Sequence, residues 1–467
     1  MDTNFEEGFG TSSGAELEEL RKALEIGYQV DPTGQGPDAL RVESLESTLK
    51  LLTYNASHMK LWNMIGKVSA FSTVEEFNRL LEYGSTGGGF VGSGILPEEE
   101  DSTYERANEL VKYVGSTRSV HHPATMVNSV PADIISQETS NGALWMMRKI
   151  NEGLYYADSA NNSLEWNGLP AQINAGQAVD DQIDIDLKDQ PLDEDSIENA
   201  AQQIIDNYGF PSQLFSNPKV FTDFGKQFNN SGQTTVQRMA QPAFAAGNAG
   251  VMEGNTIGVP ISGYNTLSGL IGFQADTFVK RGTVVPSAAT SSKAPNAPTI
   301  APGSEGAEAG SRFETADAGN YQYQVTAVNR FGESLPSTQS ANVALTGNNV
   351  NGVDIVITDQ GGAFEATYYR IYRTKVGATT TYYTNATAPR TGAATTWTDI
   401  NHWRPQTTIG LMLDMSPNSF TFKQLSPMIK MPLAQISPAI RWMQLLYGTP
   451  VVYAPKKNVV FRNIGVV

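Results

Sequence analysis

The sequence predicts an α+β chain in which an α/β body is interrupted by an inserted β-sandwich. Three observations predict it. A 3.6-residue apolar repeat marks one long helix within residues 131–157. Two-residue alternation marks short strands between residues 321 and 399. A helix–strand–helix succession over residues 197–228 precedes those strands, and strand-like segments return after them at 442–447, 451–453 and 459–464. The chain has 467 residues. One hydrophobic core stops growing near ~250–300 residues, so two or three structural units are expected.

The elements follow in order. Residues 16–26 read as a short amphipathic helix through Leu17, Leu20 and Leu24. A Pro/Gly-rich break at 31–37 separates it from a second helical stretch, 40–54. Residues 1–66 thus form an extended arm. In residues 67–122, Val74, Phe77, Leu80, Leu81 and Tyr83 lead into the glycine-rich run 84–94, and strand-like sequence resumes at 109–115. Two long strands joined by a glycine-rich excursion are expected. The backbone polar groups of such a loop must be satisfied by water or by another chain.

Residues 123–170 hold the long helix. Ile135, Ala143, Met147, Ile150 and Leu154 fall on one stripe, with Trp145 and Met146 beside it and Pro131 in the first turn. At ~1.5 Å per residue it would be about 40 Å long, a structural spine. Residues 171–292 begin the body. Ile197, Ala201, Ile204, Ile205 and Tyr208 share a face, Asp193, Asp195 and Ser196 supply capping, and Gly209 with Pro211 stop the helix. A strand at 213–215 and a helix opened by Ser216-Asn217-Pro218 follow, the latter with Val220, Phe221, Phe224 and Phe228 inward.

Residues 287–302 are rich in Ala, Ser, Thr and Pro and read as a linker. Beyond them, 321–328, 353–357, 368–373, 380–383 and 397–399 read as strands of a small β-sandwich spanning 293–405. Residues 406–467 return to the body.

Composition narrows function by exclusion. There is no cysteine, which removes disulfides and thiolate chemistry. The formal charge is −16 and the nearest basic run is Lys456-Lys457, so bulk attraction to nucleic acid is not expected. An acidic wall would still suit a container past which packed DNA can slide. The acidic start lacks the order of a signal peptide, and no stretch approaches the ~18 apolar residues of a membrane span. A soluble protein maturing in a reducing cytosol, without a membrane partner, is the simplest expectation.

Chemical motifs are sparse. Residues 87–92 match G-x-G-x-x-G, but Gly94 and Pro97 follow where a phosphate-binding helix should start. The acidic run 180–186, continuing through Asp189 to Asp195, lacks EF-hand spacing and reads better as a solvated loop ending in a helix cap. His58, His121, His122 and His402 form no spaced ligand set, and the adjacent pair would point to opposite faces of a strand. No G-x-S-x-G elbow is present. The N-x-[ST] matches at Asn55, Asn161, Asn229 and Asn385 carry little meaning without secretion. No catalytic, cofactor-binding or metal-ligating residue is therefore assigned. No cofactor is expected, and the chain is read as a non-enzyme whose arm and hairpin need neighbours.

That order of arm, hairpin, spine helix and interrupted body resembles the Hong Kong 97-type capsid fold of tailed-bacteriophage major capsid proteins. It is closest to the Twort-like contractile-tailed group. The residues carrying the resemblance include Gly27-Tyr28, Leu52-Thr53 with Trp62, and Ser72-Thr73-Val74. They continue in the segments 163–169 and 431–436, then Tyr447-Gly448 and Ala454-Pro455-Lys456-Lys457. The match is collinear along most of the chain, with no single diagnostic motif.

The resemblance implies a peripheral domain around the spine helix and an axial domain after it. It also implies an immunoglobulin- or fibronectin-like insertion, preceded by the body residues Phe273, Phe278, Val284 and Val285. It implies hexamers and pentamers enclosing double-stranded DNA in a virion assembled in the host cytoplasm. Portal, scaffold or maturation protease, and decoration proteins would be partners. Residues 1–15 could be a segment removed on maturation, and the insertion is expected to face solvent with little part in shell closure. Rival readings are an encapsulin-like nanocompartment shell, a secreted carbohydrate-active enzyme with a fibronectin-like module, and a tail or baseplate protein.

Overall fold

The computed structural model describes residues 53–84, 89–96, 99–126, 133–174, 183–230, 262–266, 269–435 and 437–466. The expected helix at 16–26, residues 40–52 of the expected helix 40–54, the segment 1–15, the glycines at 87 and 88, Pro97, Pro131 and Asp180–Gln182 lie outside them, as do the side chains of Phe228 and Asn229; Thr53 and Tyr54 are not helical.

The spine helix runs Ile134–Tyr156, about 35 Å at ~1.5 Å per residue. Asp133 caps it, its carboxylate accepting from Ile135 N at 2.9 Å. The buried stripe is Met146, Ile150 and Leu154 with Asn151 and Tyr155. Ala143 and Met147, expected inside, are half-buried. The reason is Gly142, which lets the helix settle closely on the sheet beneath it. A Cβ there would lie 2.0 Å from Gln444 Oε1.

That sheet has four strands, in the order Lys67–Ser69, Phe420–Pro432, Ala439–Val452 and Lys112–His121. Ala439–Val452 is one continuous strand where the sequence suggested two. The sequence did not suggest Phe420–Pro432, since its prolines masked the pattern. The helix Lys60–Met64 docks on the spine, with Met59, Leu61, Trp62 and Ile65 in the same core as Ile150, Leu154 and Phe422. Asn151 Oδ1 accepts from Trp62 N at 3.0 Å, and Asn151 Nδ2 donates to Asp276 Oδ2 at 2.9 Å.

A six-stranded sheet forms the second layer, in the order Asp184–Asp186, Val459–Gly465, Thr407–Leu413, Gln213–Ser216, Gly269–Ala275 and Gly263–Thr266. Its central strands are buried on both faces. Phe215, Leu411, Leu413 and Val460 face the spine-helix core. Leu214, Met412, Val459 and Phe461 face the helices Glu194–Asp206 and Pro218–Asn230. Double burial replaces alternation with a continuous apolar run, which is why Thr407–Leu413 was not legible as a strand.

The helix Glu194–Asp206 is capped by Asp193 as expected, but its buried face is Ile197, Ala200, Ala201 and Ile204. Ile205 and Tyr208 are exposed, and Tyr208 has left the helix with φ 60°.

Between Gly269–Ala275 and Thr407–Leu413 lie two packed sheets. One has the order Gly332–Glu333, Tyr323–Asn329, Tyr368–Thr374, Thr381–Pro389. The other is Ala394–Asp399, Asn351–Thr358, Thr299–Ala307. Tyr323, Val325, Val353, Ile355, Tyr369 and Ile371 fill the space between them. Two expectations need correction. Thr299–Pro302 is strand, not linker. The expected strand 321–328 is split at Gln322, whose N–H donates to Thr374 Oγ1 at 3.0 Å, so Gly319–Tyr321 pairs instead with Val343–Leu345.

Candidate functional site: an uncovered hairpin

Val74–Glu82 pairs antiparallel with Thr103–Leu110 as an isolated two-stranded ribbon. The expected second strand at 109–115 is in fact divided. At Val111, whose N–H donates to Thr73 O at 2.9 Å, the chain leaves the ribbon and enters the spine-helix sheet as Lys112–His121. Arg79 stands opposite Glu105 with a 3.3 Å ion pair, and Arg106 pairs with Glu76.

A two-stranded ribbon is marginal by itself, so its base is tied down. Arg79 Nη2 donates to Val452 O at 2.8 Å, and Phe77 packs edge-on against Tyr453 at 5.2 Å. Glu75 Oε1 accepts from Phe71 N at 2.9 Å. Asn167 Nδ2 donates to Glu109 Oε2 at 3.4 Å, and burial raises the Glu109 pKa above the usual carboxylate value.

Above that base no described residue outside the hairpin covers the ribbon's exposed apolar side chains. Tyr83 and Leu96 are each 86% exposed and Phe90 is fully exposed; Leu80, Leu81, Ile95 and Tyr104 are exposed as well. Gly89 and Gly94 take φ of 85° and 86°, backbone that suits glycine at the turns of the tip. Clustered apolar exposure of this kind marks a contact surface. Chemically the arrangement can bury area against a partner.

The other sequence candidates are dispersed. The described part of the glycine run leads to a strand and to no helix, so the nucleotide reading fails there. Asp184 and Asp186 are engaged by Arg462, at 3.0 and 3.9 Å, and no group of three metal-ligating side chains occurs among the described residues. His121 ends a strand while His122 opens the helix His122–Met126, so the pair does not share a strand as expected. His58 Nδ1 accepts from Asn55 N at 3.1 Å in a capping turn. Lys456 and Lys457 lie in the turn Pro455–Lys457. No described helix is long and apolar enough to cross a membrane. Sequence reasoning missed Arg79 and Tyr453 as the hairpin's anchors, because in a strand that also carries Glu75, Glu76, Asn78 and Glu82 nothing local singles the arginine out.

The model of the SU10 major capsid protein family matches residues 92–288, from the hairpin through the spine helix to the entry of the insertion. A capsid-protein relative from Enterococcus phage phiEF24C is 25% identical over 463 residues, 96% of this chain and 95% of its own. The major capsid protein of Staphylococcus phage S25-3 is likewise 25% identical over 467 residues, with the same coverage. Along nearly its whole length, then, the chain is similar to major capsid proteins of tailed bacteriophages. These phage relatives match 96% of the chain, which favours a phage head protein over a nanocompartment shell. The capsid of Myoviridae phage XM1 is similar with a TM-score of 0.43 at 10% identity, over 90% of this chain and 96% of that one.

Proposed function

We propose that this chain assembles, through its hairpin, into hexamers and pentamers that close as an icosahedral head around double-stranded DNA. The observation that carries this is the set of exposed apolar side chains Leu80, Leu81, Tyr83, Phe90, Leu96 and Tyr104 on a hairpin anchored at its base. Each contact can be weak, because closed symmetry repeats it many times. The spine-helix layer would act as the peripheral domain and the six-stranded layer as the axial one. The formal charge of −16 suits a wall that holds DNA without specific binding. The role is structural and non-enzymatic. Assembly would take place in the host cytoplasm, with a portal, a scaffold or maturation protease, and decoration proteins as further partners.

The test is expression of the full chain, alone and with its phage's scaffold, followed by negative-stain electron microscopy and sedimentation velocity. Closed shells or discrete hexamers and pentamers are expected. A monomer in both conditions overturns the reading.

A further inference from the structure

The inserted sandwich meets the body through a two-sided set of buried polar contacts. Arg404, on the segment returning from the sandwich, donates to both oxygens of Asp317 at 2.7 and 2.8 Å. Asp317 Oδ2 also accepts from Asn401 Nδ2 at 3.0 Å. On its other side Arg404 N donates to Asn463 Oδ1 at 2.8 Å. Asn463 belongs to the strand Val459–Gly465, and its Nδ2 donates to Asp186 Oδ1 at 2.8 Å and to His402 O at 3.0 Å. Arg462, on the same strand, donates to His402 O at 2.7 Å and to Asp184 Oδ1 at 3.0 Å. Lys375 reaches from the sandwich to Asp189 at 2.7 Å, and Lys188 reaches back to Glu314.

Backbone geometry agrees. Asn401, Gln406 and Asn463 hold φ between 55° and 64°, a region that non-glycine residues occupy only when their surroundings hold them there. The entry and exit segments are pressed together: a Cβ on Gly282 would lie 2.4 Å from Gln406 Cα. A tethered module is joined by solvated linkers that few contacts cross. Here Asn463, Arg462 and Asn401 are almost fully buried and each bonds across the joint or beside it.

We infer that the sandwich is a clamp on the body's edge. Through Asp317, Arg404 and Asn463 it fixes the strands Val459–Gly465 and Asp184–Asp186 and couples its own motion to theirs. A force or ligand acting on the sandwich is thereby transmitted to the six-stranded layer. Residues 293–405 are then not a dispensable knob, because their removal would strand Arg462, Asn463 and Asp189 without their partners across the joint.

Hydrogen exchange of the full-length chain tests this, comparing wild type with Asp317→Ala. Removing one member of a buried ion pair leaves the other charge uncompensated. Exchange of the amides in Val459–Gly465 and at 187–190 should therefore rise by at least about tenfold, with the strand Ala439–Val452 unchanged as the internal control. Loosening confined to the sandwich, or no change on either side, overturns the inference. Should Asp317→Ala prevent folding, Lys375→Ala reads the same relation through the more exposed Asp189 pair. It should increase exchange at 187–190 as well as in the sandwich, and an effect limited to the sandwich again overturns the inference.

Discussion

Arg373 and Asp399 form a 2.6 Å ion pair between the two sheets of the insertion, with each side chain only 2% exposed. Tyr323 OH donates to the same carboxylate oxygen at 2.9 Å, and Arg373 Nη2 donates to Asn401 Oδ1 at 2.6 Å. The pair therefore links the sandwich core to the segment that returns to the body. Removing either partner would leave the other charge buried and uncompensated, so the two must be altered together or not at all.

Arg373→Met should destabilise the chain by about 3–5 kcal/mol, because Asp399 is then buried and unpaired. Arg373→Met combined with Asp399→Leu should cost less than Arg373→Met alone. Urea denaturation followed by tryptophan fluorescence measures both. A double variant weaker than the single one would show that the pair itself, and not the orphaned carboxylate, supplies the stability.

Gly142→Ala tests the seat of the spine helix. Alanine is the better helix former by about 1 kcal/mol, so propensity alone predicts stabilisation. The new methyl would instead meet Gln444 Oε1, whose amide donates to Thr139 O at 2.7 Å. A net loss of about 1–3 kcal/mol is expected from overpacking. Adding Gln444→Ala to Gly142→Ala should recover part of it in thermal melts, since the clash is with that side chain alone.

These two sites show what the sequence could and could not reveal. The spine helix was legible because a 3.6-residue repeat survives wherever one face is buried; its exact face was not, because Gly142 carries no hydrophobicity yet marks the closest approach. The strands Tyr368–Thr374 and Asn351–Thr358 were legible because alternation follows half-burial. Thr407–Leu413 and Phe420–Pro432 were not, the first being buried on both faces and the second carrying prolines. The hairpin was legible as spaced apolar residues, Val74 to Tyr83, running into glycines, but the break at Val111 depends on a tertiary hydrogen bond to Thr73. The joint at Asp317, Arg404 and Asn463 was invisible, since it gathers residues from three segments that no local pattern relates.

The hairpin separates folding from assembly. A double change of Leu81→Ser and Phe90→Ser removes exposed apolar groups that touch little in the subunit. Subunit stability should change by no more than about 0.5 kcal/mol. Assembly should fall steeply, seen as loss of fast-sedimenting particles at a concentration where wild type forms them. By contrast, Arg79→Ala removes the anchor to Val452 O and the Glu105 pair. It should impair both folding stability and particle yield.

Acid should weaken the joint through His402. Its imidazole is depressed from 6.5 to about 3, chiefly by burial and then by the neighbouring guanidinium groups of Arg462 and Arg312, against a smaller opposing pull from Asp186. The folded chain thus keeps His402 neutral, while the unfolded chain binds a proton below pH 6.5. Stability from this residue is fully present above that pH and is lost as pH falls from 6.5 toward 3. The slope is at most about 1.4 kcal/mol per pH unit. Carboxylates elsewhere also titrate at the acid end, so the informative quantity is the difference between wild type and His402→Gln. Between pH 6.5 and 4.5 the wild-type melting temperature should fall more steeply than that of the variant, and above pH 7 the two curves should run parallel. Parallel curves across the whole range would mean that His402 is equally willing to charge in both states, and that the cations around it do not govern its protonation.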